Sequence, residues 1–111
     1  RIEGQEKRSI GAPQYGGFNA KSALGTITLT AGDDLIQAID PDGSGRDVVL
    51  PDLGSTGQGK AVIDNTAGGA EVLTIKDAAN SNATVGTPTQ NESATCVFSE
   101  GSWVCVVGAA N

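Results

Sequence analysis

The sequence contains no histidine and no methionine, and its aromatic residues amount to one Trp, one Tyr and two Phe. Histidine is the commonest general base near neutral pH and the commonest metal ligand. Its absence excludes a Ser-His-Asp or Cys-His site within this chain, and neither catalysis nor a cofactor is expected. Only Trp103 and Tyr15 are suited to stack on a sugar ring, which leaves a glycan as a minor candidate partner.

Positive charge is also scarce. Seven basic residues stand against 13 acidic ones, a net charge of −6, and the pI is near 4.3. Only Arg46, Lys60 and Lys76 follow Lys21. A phosphate backbone is held by clustered Lys and Arg, so nucleic acid is not an expected partner. No apolar run approaches the roughly 18 residues that span a bilayer, and no charged-then-apolar signal segment opens the chain. A membrane is therefore not an expected partner either. The lack of an initiating methionine before the bulky Arg1 leads to the expectation that residues upstream of Arg1 are missing.

What is present suits one small domain. A chain of 111 residues buries roughly 65% of its unfolded surface, too little for a deep substrate cavity inside a large core. Leu, Ile, Val and Phe supply about 22% of the residues, just above the level of roughly 20% below which charged chains stay disordered.

Charge divides the chain into an arm and a body. Residues 1–21 hold four basic and two acidic side chains, a net of +2; the other 90 hold three basic and 11 acidic, a net of −8. The first part also scatters glycines and Pro13 among Ile2, Ile10, Tyr15 and Phe18 without helical or strand period. The division expected is an extended N-terminal arm over 1–23 and a β-body over 24–111. The arm is either a frayed terminus or a segment whose large apolar side chains dock on a neighbour.

From Leu24 onward, short β-branched runs alternate with Gly, Asp, Asn, Ser and Pro at intervals of about 8 to 12 residues, the spacing of an all-β sandwich or barrel. The expected fold is a single antiparallel β-sandwich or jelly-roll-like barrel of about eight short strands: Leu24–Thr30, Asp34–Ile39, Arg46–Leu50, Lys60–Asp64, Glu71–Lys76, Ala83–Thr87, Ser93–Ser99 and Ser102–Val107. Sixteen glycines and frequent Thr and Val oppose helix almost everywhere.

The last two strands give the sharpest local reading. A two-residue turn at Glu100-Gly101 sets Ser99 opposite Ser102, Phe98 opposite Trp103 and Cys96 opposite Cys105. The cysteines then occupy a non-hydrogen-bonded pair with Cα atoms about 4.5 Å apart, within disulfide range. They are either bridged or two small buried thiols, and the mass after alkylation without reduction separates the two. The hairpin is apolar on both faces. Ala94, Cys96, Phe98, Trp103, Cys105 and Val107 line one; Val97, Val104 and Val106 line the other. A strand buried on one side alternates with polar residues, so the second face calls for a cover, either another subunit or the chain's own arm or second sheet.

Two acidic patterns look chemical. Asp40-Pro41-Asp42-Gly43-Ser44-Gly45-Arg46-Asp47 imitates the opening of a calcium loop, but position twelve is Pro51 and the flanks are strands, so no metal site is expected. A Pro-Asp-Gly turn with Arg46 paired locally to an acid is the better account. Asp33-Asp34 reads as a solvated turn rather than a carboxylate pair for glycoside hydrolysis.

From Leu24 onward the order of pieces resembles small β-sandwich structural modules of tailed bacteriophages: head decoration (cement), head-fibre and tail-fibre domains. The segments that carry the resemblance are Leu-Thr-Ala-Gly-Asp-Asp at 29–34, Ile-Asp-Pro-Asp-Gly-Ser-Gly-Arg-Asp-Val-Val-Leu-Pro at 39–51, Ile-Asp-Asn-Thr-Ala at 63–67, Glu-Val-Leu-Thr-Ile-Lys-Asp at 71–77, Gln-Asn-Glu-Ser-Ala at 90–94, and the closing strand pair with Trp103. The arm is not covered by it. The resemblance implies a non-enzymatic virion protein, commonly a homotrimer, assembled in the host cytoplasm and placed on the outer surface of the head, where it binds the major capsid protein and bridges capsomers. Val97, Val104 and Val106 would then form the oligomer interface. Ile2, Lys7, Arg8, Ile10, Tyr15 and Phe18 would contact the capsid. The alternative is a head-fibre or tail-fibre domain that reads a host surface through loops such as Asp40–Gly45 and Ala78–Asn82.

Overall fold

The computed structural model describes residues 18–109, Phe18 by its backbone. Among the described residues nine strands run in chain order: β1 (Phe18–Ser22), β2 (Ile27–Thr28), β3 (Ile36–Asp40), β4 (Arg46–Leu50), β5 (Gly59–Asn65), β6 (Leu73–Asp77), β7 (Ala83–Gly86), β8 (Glu92–Ser99) and β9 (Ser102–Ala109). A 3-10 turn, Ala78–Asn80, lies between β6 and β7. Two sheets form, one in the order β1-β3-β5-β8-β9 and the other in the order β2-β4-β6-β7.

The expected antiparallel arrangement is corrected. From β1 to β6 the chain changes sheet after every strand, so each strand returns beside the one two places earlier and runs in the same direction. β1 with β3, β3 with β5, β2 with β4, and β4 with β6 are all parallel. A parallel pair needs a crossover, and here the crossover is a strand of the opposite sheet. Parallel stacking stops where β7 turns back on β6 and β8 pairs antiparallel with β5, followed by β9 on β8. Both sheets are thus mixed and open, a sandwich-like pair rather than a closed barrel.

Period-two burial shows why these segments are strands. Val48 and Leu50 on β4, Ala61 and Ile63 on β5, Leu73 and Ile75 on β6, and Ala94, Cys96 and Phe98 on β8 are buried, with more exposed residues between them. Their side chains meet Leu29, Ile39 and Trp103 in one core. Each fully buried aliphatic or aromatic side chain contributes roughly 1.5–3 kcal/mol.

Three buried polar side chains are satisfied within this core. Asn65 donates through Nδ2 to the carbonyls of Glu71 (3.0 Å) and Pro88 (2.9 Å) and accepts from Ala67 N–H (2.9 Å). Gln37 donates to the carbonyl of Asp34 and accepts from Asn19 on β1. Asp77 accepts from the N–H groups of Ala79 and Trp103 and from Asn80 Nδ2. The third of these ties the end of β6 in one sheet to the start of β9 in the other.

Three local expectations change. Phe18–Ser22, read as part of the arm, is a strand of the larger sheet, and Ala23 is buried. The segment expected as Leu24–Thr30 shrinks to Ile27–Thr28, with Leu24 79% exposed and Leu29 in the core. Among the described residues Arg46 does not pair with an acid. Its guanidinium donates to the carbonyls of Ala23, Pro41 and Asp42, which pins β4 to the end of β1 and to the turn after β3.

Candidate functional site

The β8–β9 hairpin carries the residues singled out in the sequence, and its register matches the count from the turn: Ser99 with Ser102, Phe98 with Trp103, Val97 with Val104, Cys96 with Cys105. Glu100 and Gly101 both have positive φ, 55° and 87°, as the mirror-image type I′ turn requires. Gly101 adopts that conformation without a Cβ clash; Glu100 does so at a steric cost. The structure joins Cys96 to Cys105 in a disulfide, with Cα atoms 4.0 Å apart. That separation belongs to the closer, non-hydrogen-bonded class of opposed residues.

Toward the core the hairpin is firmly held. Phe98 and Trp103 meet edge to face, ring centroids 5.3 Å apart, a favoured geometry for aromatic quadrupoles. Trp103 donates its indole N–H to the carbonyl of Pro51 at 2.8 Å, and its backbone N–H to Asp77 at 3.1 Å. At the base of β8, Glu92 accepts from the backbone N–H and the hydroxyl of Thr89. Those two bonds, the backbone one foremost, hold its carboxyl below the usual range. Gly86 of β7 lies close beneath β9: a Cβ there would stand 3.4 Å from Cys105 Cβ and from Val107 Cγ2.

The opposite face is bare among the described residues. Val97, Val104 and Val106 are 44%, 66% and 72% exposed. Ladder pairing sets Val97 beside Val104 and, through Thr95, Val106 in one cross-strand row with Val62 and Ile36. Lys60 and Asp64 flank that row on β5. The second sheet therefore covers the inner face and leaves the outer valines uncovered. Inner coverage also fades along β9, where Val107 is 36% exposed.

The remaining sequence-derived positions are distributed as follows. Ile2, Lys7, Arg8, Ile10 and Tyr15 lie outside the described residues, and of Phe18 the backbone opens β1. The Asp40–Gly45 turn is organised by its own atoms: Asp40 accepts from Asp42 N–H, and Asp42 and Gly43 have positive φ. In the other loop, Ser81 and Asn82 are both left-handed. Asp33 closes a local turn by accepting from the N–H and hydroxyl of Thr30.

A cleft of roughly 240 Å³ that the sequence did not disclose opens between the sheets, with Leu29, Leu50, Leu53 and Trp103 on its walls and Asp34 and Lys60 among its polar residues. It joins residues far apart in the chain, and no local pattern marks it. Among the described residues, no three His, Cys, Asp or Glu side chains gather as a metal site, and no helix is long and apolar enough to cross a membrane.

The fold and site together define a small, mostly-β domain of two mixed sheets with a disulfide-clipped hairpin and, among the described residues, an uncovered valine face. Comparison with protein-family models, curated proteins and solved structures gave no match.

Proposed function

We propose that the chain is a phage virion structural protein: a capsid decoration (cement) protein that binds the major capsid protein on the outside of the head and bridges capsomers without enzymatic work. The observation that supports this reading is the exposed row of Val97, Val104 and Val106 on a rigid, disulfide-clipped hairpin. A sheet face of this kind gains by burial against another subunit, and a homotrimer formed through it presents three copies of the N-terminal segment to one shell. In that segment Ile2, Ile10 and Tyr15 serve as apolar anchors, while Lys7 and Arg8 meet acidic surface. Phe18 takes part through the sheet instead.

The test uses capsids stripped of decoration. A variant lacking residues 1–17, which retains β1, is expected to keep its fold and lose capsid binding; undiminished binding would remove the fastening role. Replacing Val104 and Val106 by Lys is expected to break the trimer, read as mass by light scattering. Copy number in purified virions separates the readings: hundreds of copies fit a cement protein, and a handful would assign the chain to a head or tail fibre.

A further inference from the structure

β9 is an edge strand, and its outward backbone groups can be identified individually. The residues that flank the two-residue turn, Ser99 and Ser102, exchange hydrogen bonds, so the next pair, Phe98 with Trp103, does not, and the alternation continues along the ladder. The N–H and C=O groups of Trp103, Cys105, Val107 and Ala109 accordingly point away from β8. The Trp103 N–H bears this out by donating to Asp77. Asn80 likewise covers the turn, with bonds to Gly101 and Ser102. Beyond this corner, no ladder pairs the outer edge of Cys105–Ala109 among the described residues.

Among the described residues, nothing protects this edge. From Ser102 to Ala109 it is eight residues long, without a charge or a proline. Natural edges of that length are normally blunted by Lys, Pro, a bulge or a covering segment. The chain as a whole carries a charge of −6, so most ways of bringing two copies together oppose acid to acid. The edge of β9 is uncharged, and two copies meet there without repulsion.

We propose that β9 is a self-pairing edge: two copies join antiparallel through it about a two-fold axis at Val107. In this register Val107 faces Val107, and Cys105 faces Ala109, so the outward N–H and C=O groups of Cys105, Val107 and Ala109 all find partners. Val106 lies opposite Gly108, which gives its side chain room. Val107 points toward the core yet is 36% exposed, and its counterpart across the axis covers it. The contact joins the five-stranded sheets of two copies into one continuous sheet. It is separate from the three-fold valine face and does not depend on any role in a capsid. Where both contacts form, trimers link in pairs.

Val107→Pro tests the contact. It removes an outward N–H that β8 does not use, a position where edge strands tolerate proline. The expected result is an even-numbered species for the wild type by native mass spectrometry, halved in mass by Val107→Pro, together with slowed amide exchange at Cys105, Val107 and Ala109 that is lost at Cys105 and Ala109 in the variant. A wild type that stays monomeric or only trimeric, a mass unchanged by the substitution, or slowed exchange at these amides in a monomer would each overturn the proposal. Should Val107→Pro fail to fold, Val107→Cys decides it: opposed Cα atoms about 5.5 Å apart allow a disulfide. Under oxidation a 107–107 link between copies supports the pairing, and its absence from the peptide map overturns it. Loss of pairing with capsid binding retained would leave the proposed function standing.

Discussion

In β1–β6 each strand finds its parallel partner two strands away, with Ile36 beside Val62 and Arg46 beside Leu73, whereas β8 and β9 pair residue by residue around a two-residue turn. The parallel half closes long loops before any ladder bond forms, and its register is held by buried side chains and by polar ties such as Asn65 and Gln37. The hairpin is specified locally by turn geometry and by a disulfide between opposed residues. The difference separates two kinds of order. The parallel half depends on being covered by the opposite sheet, while the hairpin holds its register and can leave one face and one edge open.

The largest expected effect comes where the two halves meet. Phe98→Ala removes a fully buried ring that packs on Trp103 and is expected to lower the unfolding free energy by about 3–5 kcal/mol, measured by denaturant titration followed through Trp103 fluorescence. Asp77→Ala comes next. It strands the buried Trp103 N–H and unties β6 from β9, for an expected loss of about 2 kcal/mol. If the hairpin is the more self-sufficient half, amide exchange in this variant quickens in β6 and the 3-10 turn before it does within the β8–β9 ladder.

A smaller change of opposite sign is expected from Glu100→Gly. It relieves a side chain held at φ 55° and stabilises the turn by about 1 kcal/mol, visible as a raised midpoint in the same titration. The smallest effect belongs to Glu92. Its carboxyl is held below the usual range by Thr89, so its stabilising contribution is complete above the ordinary carboxylate pKa and disappears as pH falls through the lowered value. Glu92→Gln is expected to lower stability slightly at neutral pH and to leave it unchanged at low pH, which flattens that acid limb of the profile.

The two halves also differ in how far they can be read from residues alone. Arg46–Leu50 coincides with β4, and the register of the final hairpin follows from the Glu100-Gly101 turn, because both depend on neighbours within a few positions. Parallel pairing is not legible in the same way. Gly, Asp and Pro mark where a strand ends, and nothing in them says whether the chain folds back on itself or crosses to the other sheet. For the same reason Phe18–Ser22 reads as part of an arm: its place beside Ile36–Asp40 is decided by a partner 18 residues on. The valine face was legible as an apolar stripe in need of a cover. Which hairpin face the second sheet covers was not, since period two identifies two faces without ranking them.

By itself the sequence determined a β-rich chain with no histidine chemistry, an acidic body, strand positions set by period-two patterning, and a hairpin that brings Cys96 opposite Cys105. Those features depend on side-chain identity and short-range geometry. Only the tertiary structure decided that six strands wind between two sheets in parallel, that Asp77 ties β6 to β9 while Arg46 binds backbone carbonyls rather than an acid, and that Val97, Val104 and Val106 face outward beside an edge unpaired among the described residues. These outcomes depend on which distant segments bury one another, a choice settled by the packing of the whole core.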